Sequence, residues 1–264
     1  MSRRRPEAEG AADQDSVGLR ILRILGLVAK TDRPVAVSDV ADALLLPRPT
    51  AHRLCAKLED LGFLAREPGS RHLAVGPQLF ALGLAAILRD DRRGERRALL
   101  ASLVDQIGET CNLTVLSGSE VFYLDRVESH WPLRLHFEPG SRVPLHCTAS
   151  GKLLMAHVSA ARRKRMLEAL DLKSMTPNTL TSRKALSAEL DAIRARGYSI
   201  DAEEFLLGMN AIAVPVKDAK GRSVAAIACH APAARMSVKA AIAHLAVLEA
   251  TAARMSATLH SPNA

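Results

Sequence analysis

The cysteines and histidines of the chain are the first residues that could do chemistry. His146-Cys147 and Cys229-His230 each set a thiol beside an imidazole, the residue types of nucleophilic catalysis. Adjacent strand residues point to opposite faces, so neither pair is predicted to act as nucleophile and base. Cys111 could join His146 and His230 around a metal, but no local ligand spacing supports this, and no metal is expected.

The carboxylates Asp201, Glu203 and Glu204 could supply a paired acid and base. We interpret them instead as the lining of a ligand cavity or as a loop surface. The sequence has no Walker loop and no GxGxxG after a strand, so no nucleotide cofactor is expected. An enzyme that processes a small molecule, with DNA binding secondary, is the alternative function. A constitutive architectural DNA-binding protein would leave most of the chain without a purpose.

Composition sets the class of protein. The 264 residues fit two unequal domains, and the four cysteines lie far apart without a CxxC pair. Apolar runs are too short to cross a bilayer and the amino terminus lacks a signal-peptide core, so we expect a cytoplasmic protein without membrane contact. The net charge is +8, but it is spread along the whole chain. Nucleic-acid binding must therefore be argued from motif geometry.

The segment LPRPTAHRLCAKLEDLGFLAREPGSRHLAV carries the DNA-binding prediction. It reads as a helix followed by a hairpin around Pro-Gly-Ser, after a helix over 17–29 and a short helix that Ser38 begins as its cap. Three helices and a two-stranded wing make a winged helix-turn-helix, whose last helix enters the major groove. An apolar stripe, Ala51, Leu54, Cys55, Leu58 and Leu61, faces inward. The predicted DNA contacts are Ser38, Arg48, Pro49, Thr50, His52, Arg53, Lys57 and, on the wing, Arg71.

The predicted architecture is α+β. We expect a disordered arm over 1–15, the winged helix-turn-helix over 16–78, a linker helix and solvated hinge over 79–97 with a break at Gly94, and an antiparallel-sheet domain over 98–260. The linker helix is too apolar to stand alone in water, which indicates that it packs on another subunit. PLRLHFEPG alternates as a strand, and one helix is predicted from about 237 to 259.

The strand SVAAIACHA indicates a cavity. Val224, Ala226, Ala228 and His230 share one face, and the small alanines leave volume beside an imidazole that could bind a carboxylate. Amides at the start of the helix that contains Ser150 could hold the same anion. Alternatively, the alanines pack tightly against a helix and His230 is a satisfied edge residue.

Several motifs together resemble the IclR family of bacterial transcription regulators: GETCNLTVLSGSEVFYLDRVES, PGSRVPLHCTASGKLLMA and GYSIDAEEFLLGMNAIAVPVKDAKGRSVAAIACHAP, after the winged segment. The resemblance implies a GAF-like effector-binding domain, a homodimer or tetramer on a palindromic operator, and a repressor or activator of catabolic genes. It also implies an effector that is a small organic acid, aromatic acids included.

The resemblance implies the effector-binding residues, which are those at the positions that line the cavity in family members. Apolar residues of the neighbouring strand could add a surface suited to an aromatic ring. The resulting effector-binding prediction is Leu133, Leu135, Val143, Ala149, Ser150, Asp201, Met209, Ala211, Ala228 and His230. His230 stands where regulators of small keto acids have small hydroxylic residues, so the sequence departs from the family at this position. We expect the linker helix over 79–88 and the hinge after it to transmit effector binding to the DNA-binding domain.

Overall fold

The computed structural model describes residues 16–31, 34–67, 70–131 and 140–259. The chain divides into two compact units, the first ending at Gly83 and the second beginning at Leu84. The predicted arm over 1–15 and most of the predicted strand PLRLHFEPG lie outside the described residues, and so do Leu133 and Leu135.

The first unit has the predicted order of three helices and a two-stranded hairpin. Its elements are α1 (Val17–Lys30), α2 (Val37–Ala43), α3 (Arg48–Asp60), β1 (Leu64–Arg66) and β2 (Leu73–Val75). The two strands pair antiparallel, with Ala65 opposite Ala74. One face of each helix packs into a single core around Ile24, Val40 and Leu54. The winged helix-turn-helix prediction is confirmed.

Two local predictions in this unit were wrong. Helix α2 begins at Val37 with Ala36 as its N-cap, so Ser38 lies inside the first turn and does not cap the helix. Leu61 is the C-cap residue of α3 and is 51% exposed, because the helix ends before its side chain can join the buried stripe.

The charged run over 89–97 also differs from its prediction. After α4 (Pro77–Leu88), helix α5 (Arg93–Ile107) begins within this run, so Gly94 lies in its first turn and breaks nothing. The run is not uniformly solvated either, because the side chain of Arg96 is almost fully buried. Its Nη1 donates to the carbonyl oxygen of Thr258 and to Asp90, and its Nη2 donates to the carbonyl oxygen of Ile87.

The second unit is built on a six-stranded antiparallel sheet with the order β5-β4-β3-β8-β7-β6. Its strands are β3 (Thr110–Ser117), β4 (Glu120–Val127), β5 (Arg142–Pro144), β6 (Ser199–Ala202), β7 (Met209–Lys217) and β8 (Ser223–Pro232). Its helices beyond α5 are α6 (Ala149–His157), α7 (Ala160–Ala169), α8 (Arg183–Arg196), α9 (Val238–Ala243) and α10 (Leu245–Thr258). The predicted α+β antiparallel-sheet domain is confirmed.

Alternation along the strands sends side chains into two separate cores. Ile227 and Cys229 of β8 join α5 and α10 on one face of the sheet. Ala226 and Ala228 join α6 and α8 on the other face. Successive residues of one strand thus serve opposite layers, and the small alanines lie beneath α6.

The single carboxy-terminal helix predicted over 237–259 is two helices. The break is at His244, whose backbone N–H bonds to the carbonyl oxygen of Ala241 at 3.1 Å in a tightened turn. The described residues include no helix that is both long and apolar enough to cross a membrane.

Candidate functional site

The exposed face of α3 carries a row of basic and polar side chains. Pro49, Arg53 and Lys57 follow one another at intervals of four, on the side of the helix away from the core. Arg48 and His52 are exposed near the amino-terminal end, and Thr50 is half-buried. No acidic residue occupies the first turn, so the positive end of the helix dipole is uncompensated there. This surface can approach a phosphate backbone without a repelling carboxylate in the first turn.

A residue that sequence reasoning missed ties the wing to α3. Both oxygens of Glu59, at the end of α3, lie 2.8 Å from guanidinium nitrogens of Arg66 on β1. Nη1 of Arg66 also donates to the carbonyl oxygen of Arg71 at 2.7 Å, and the Arg71 side chain is exposed. Arg66 therefore neutralises the carboxylate near the basic face and positions the wing residue. Its signal in the sequence was an outward-pointing arginine on a three-residue strand, which says nothing about its partners.

A cavity of about 490 Å³, counting its open mouth, lies between α6 and the sheet of the second unit. Every predicted effector-binding residue within the described chain lines it: Val143, Ala149, Ser150, Asp201, Met209, Ala211, Ala228 and His230. The structure thus brings together residues from four strands, β5, β6, β7 and β8, and from helix α6. The sequence reasoning missed six further lining residues, which come from β3, β4, the N-cap of α6, the loop after β6 and the start of β7: Asn112, Tyr123, Thr148, Phe205, Leu206 and Asn210.

The loop after β6 is held in place by a buried ion pair. Lys152, in the second turn of α6, is 1% exposed and its Nζ bonds to Oε1 of Glu204. Thr179 donates its hydroxyl hydrogen to the carbonyl oxygen of Glu204 at 2.6 Å, and Thr176 donates to that of Glu203 at the same distance. A lysine within an otherwise apolar helix was the sequence signal for this pair, but its partner is 52 residues away.

Asp201 is the acidic group that faces the cavity. Its Oδ1 accepts the backbone N–H groups of Glu204 at 2.7 Å and Phe205 at 3.3 Å. Burial, together with the nearby charge of Glu204, nevertheless raises the pKa of Asp201 to about 7. Burial also raises the pKa of the Tyr123 phenol to about 12, so this lining group is neutral at physiological pH.

His230 presents a buried nitrogen with no partner in the described chain. Its Nδ1 lies 3.1 Å from Nδ2 of Asn112, whereas its Nε2 is inaccessible to solvent and bonds to none of the described residues. Burial and the nearby charge of Arg126 lower the pKa of His230 to about 3, so the ring is neutral. The alternative of a fully satisfied edge histidine is wrong, because one ring nitrogen has no acceptor or donor opposite it within the described residues.

The start of α6 adds hydrogen-bond donors to the cavity wall. The Thr148 hydroxyl caps the helix by accepting the N–H of Gly151 at 3.1 Å. The first-turn amides of Ala149 and Ser150 have no intrahelical acceptor, and both residues line the cavity. Neutral donors and a helix terminus thus surround the space, and no lysine or arginine among the described residues lines it.

The thiol and imidazole pairs considered for catalysis have other surroundings. His146 and Cys147 follow β5 in a bend instead of lying in a strand, and Nε2 of His146 bonds to the carbonyl oxygen of Lys173 at 2.9 Å. Burial raises the pKa of Cys147 to about 12, which disfavours the reactive thiolate. The described residues contain no group of three or more histidine, cysteine or carboxylate side chains that could hold a metal ion.

Comparison with known proteins decides the family. Residues 19–68 match the IclR helix-turn-helix domain, and residues 86–257 match the family described as bacterial transcriptional regulator IclR C-terminal. The chain belongs to the IclR family. It is a ligand-responsive transcription regulator with a helix-turn-helix domain followed by an IclR carboxy-terminal domain, as the sequence motifs predicted.

Proteins similar to this chain include IclR regulators, one of them crystallised with a small acid. "Probable transcriptional regulator SauR" of Cupriavidus necator is 43% identical over 224 residues, 85% of this chain and 89% of that protein. The crystal structure of Thermotoga maritima IclR has a TM-score of 0.62 and 30% identity, covering 91% of this chain and 97% of that one. An IclR homologue from Microbacterium hydrocarbonoxydans complexed with 4-hydroxybenzoate has a TM-score of 0.58 and 26% identity, with 91% and 97% coverage.

Proposed function

We propose that this IclR regulator senses a small organic acid in the cavity under α6 and changes its affinity for a palindromic operator in response. The observation that carries the proposal is the convergence of donor-bearing residues on one cavity, among them His230, whose Nε2 has no partner in the described chain, and Ala149 and Ser150 in the first turn of α6. Such donors suit a carboxylate. We propose a regulatory role without an enzymatic one, since burial raises the pKa of the Cys147 thiol beside the cavity and keeps it protonated.

An aromatic acid is the ligand class that the lining favours. The apolar side chains of Val143, Phe205, Leu206 and Met209 form part of the wall and offer a surface for a ring. The similarity to a regulator crystallised with 4-hydroxybenzoate supports the same class. The small side chains of Ala211 and Ala228 leave room for a ring at the floor of the cavity. Keto acids are included in the ligand screen as smaller acids for comparison.

The proposed function is tested by measuring operator affinity with and without a bound acid. The DNA would be the intergenic segment upstream of the regulator's own gene, and the ligands benzoate, 4-hydroxybenzoate and pyruvate. An acid that binds the sensor unit should shift the operator Kd, because a ligand that prefers one arrangement must bias the equilibrium between the two. An unchanged operator Kd in the presence of an acid shown to bind would contradict the proposal.

We propose that the exposed row on α3 reads the operator, with Ser38, Arg48, Pro49, Thr50 and His52 at the same surface. Arg53 is central in this row, with Pro49 one turn before it and Lys57 one turn after it. The proposed contacts on the wing come from Arg71, which Arg66 positions.

Arg53→Ala should weaken operator binding by about ten- to a hundredfold, the usual range for losing one specific arginine contact. Fluorescence anisotropy with labelled operator DNA measures this loss. Lys30→Ala is the matched control, since it removes the same charge from the exposed end of α1 in the same unit. Equal losses of operator affinity in the two variants would show that Arg53 contributes only nonspecific electrostatic attraction.

Acid binding should weaken as pH rises through about 7. Below this pH Asp201 is protonated and can sit beside a carboxylate, whereas above it the ionised side chain repels the ligand. The limiting slope is about a tenfold loss of affinity per pH unit. Calorimetric titration with 4-hydroxybenzoate between pH 6 and 8 measures it, and Asp201→Asn should give a flat profile over this range. A slope retained in the asparagine variant would assign the titration to another group.

We also propose that the protein is a homodimer or tetramer. Helix α4 buries none of its residues, although ten of its twelve positions are apolar or glycine. Leu82 on α4 is 58% exposed, and on α1 Leu22 is 65% exposed. Apolar helices of this kind are covered in water by another chain, and a second copy of the regulator is the partner that a palindromic operator requires.

A further inference from the structure

A chain of buried polar side chains crosses three neighbouring strands and ends in the cavity. Nη1 of Arg126, on β4, donates to Oδ1 of Asn112 on β3 at 3.2 Å. Nδ2 of Asn112 lies 3.1 Å from Nδ1 of His230 on β8. At the outer end, Nε of Arg126 lies 3.4 Å from Oε1 of Glu128. Arg126, Asn112 and His230 are all at least nine-tenths buried.

The chemistry of these groups leaves one consistent assignment of hydrogens. A guanidinium only donates, so the Asn112 atom that faces Arg126 must be the carbonyl oxygen. The amide nitrogen then faces His230 and also only donates. Nδ1 of His230 must therefore accept, and in a neutral ring the hydrogen is carried by Nε2. The reversed amide would set two donors against each other at the Arg126 end, because a guanidinium cannot accept.

We infer that Asn112 is a specificity-determining positioning residue, which fixes His230 as the Nε2–H tautomer so that the cavity selects effectors with an oxygen acceptor at that point. The inference rests on the proposed sensing function and identifies which part of the ligand is recognised. A buried donor without an acceptor is costly, and a ligand oxygen relieves that cost. A ligand that presents an ammonium or an N–H group to Nε2 leaves it unrelieved. Carboxylates and phenol oxygens are therefore accepted, and amines of the same shape are rejected.

The neutral ring distinguishes this site from an ion pair. A histidinium would attract any anion over several ångströms, whereas a neutral N–H selects by direction and contact. The Arg126 charge that lies behind Asn112 disfavours a second positive charge on the ring. Burial thus keeps the ring neutral, the Arg126 charge adds to that effect, and the relay sets the tautomer.

The tautomer can be measured in the unmodified, ligand-free regulator. Two-bond ¹⁵N–¹H correlation spectra of the protein labelled with ¹⁵N-histidine report which ring nitrogen carries hydrogen. We expect His230 at pH 7 to show a protonated Nε2 and an unprotonated Nδ1, its signals being assigned by their loss in His230→Gln. Hydrogen on Nδ1, or a doubly protonated ring, in the wild-type spectrum would overturn the inference, and the His230→Gln variant serves only to assign the signals.

Asn112→Asp tests whether the relay causes the tautomer. The carboxylate can pair with Arg126 but can only accept, so Nδ1 of His230 must become the donor and Nε2 loses its hydrogen unless the ring becomes cationic. Thr114→Val is the matched control, because Thr114 is buried on the same strand and its hydroxyl bonds to the carbonyl oxygen of Ala226, away from His230. The control should keep the wild-type ring spectrum. An Asn112→Asp protein with that same spectrum contradicts the relay.

Ligand selectivity is the second readout. The wild-type protein should prefer benzoate to benzylamine, which has no oxygen acceptor, and Asn112→Asp should bind benzoate about ten- to a hundredfold more weakly. Equal affinity of the wild type for the acid and the amine would refute selection by His230. If the protein bound none of the acids, the proposed sensing function would fail, and with it the selective role, while the spectra would still decide whether Asn112 sets the tautomer.

Discussion

Gly151→Ala is expected to destabilise the sensor unit by about 3 kcal/mol and to abolish ligand binding in the cavity. An added Cβ would lie 2.3 Å from the carbonyl oxygen of Leu145 and 2.5 Å from its Cα, distances at which real side chains are not found. Both obstacles are backbone atoms, so no rotamer change can relieve them, and overpacking of this kind costs at the upper end of its usual range. The bend before α6 would have to move. Thr148, Ala149 and Ser150 would move with it, and these residues form the donor wall of the cavity.

Urea unfolding followed by tryptophan fluorescence measures the loss, since Trp131 is the one tryptophan of the sequence and lies in the second unit. Gly94→Ala is the control: its added Cβ would meet nothing within 4 Å, and it lies in the first turn of α5. That variant should gain about 0.5–1 kcal/mol, because alanine loses less backbone entropy than glycine in a helix. A Gly151→Ala protein with the wild-type unfolding midpoint would show that the bend yields at no cost.

The sequence was sufficient for the elements whose signals are local. The alternation of Ala226, Ala228 and His230 predicted which face of β8 borders the cavity, and the positions carried over from the family reached the same space. Helix α3 could be located because Pro49 is typical of a first helical turn and the apolar residues after it recur at helical spacing. In each case the pattern that forms the element also orients the side chains that matter.

The partners of buried polar groups could not be predicted, because they depend on strand order and register. Asn112 meets His230 only because β3 and β8 are neighbours in the sheet, although they are 118 residues apart. The same holds for Lys152 and Glu204. The charged composition of the run RDDRRGERR predicted that all of it is solvated. Most of its charged side chains are exposed, but Arg96 is buried, and composition cannot distinguish the one from the others. A helix start at Arg93 was likewise hidden by the glycine that follows it.

Arg96→Met is expected to lower the free energy of unfolding of the sensor unit by about 3 kcal/mol. Methionine keeps the apolar stem but removes the donors that satisfy the Thr258 carbonyl at 3.2 Å and the Ile87 carbonyl at 2.5 Å. Leaving the buried Thr258 carbonyl without its partner costs about 1–3 kcal/mol, and the part-buried Ile87 carbonyl adds a smaller loss. Asp90 adds little to the loss, since its carboxylate is 39% exposed and can return to water.

Arg89→Met removes the same charge from the same run, but at an exposed position, and should change stability by less than about 0.5 kcal/mol. Fluorescence unfolding compares the two variants, and amide hydrogen exchange locates the loss. Exchange should accelerate at the ends of α4 and α10 together, because one guanidinium binds the last-turn carbonyls of both helices. Helix α4 begins in the first unit and ends in the second. We therefore expect the Arg96 side chain to anchor the carboxy-terminal end of this linker helix to the sensor unit. Equal unfolding midpoints for Arg96→Met and Arg89→Met would contradict the proposal that Arg96 anchors the linker helix.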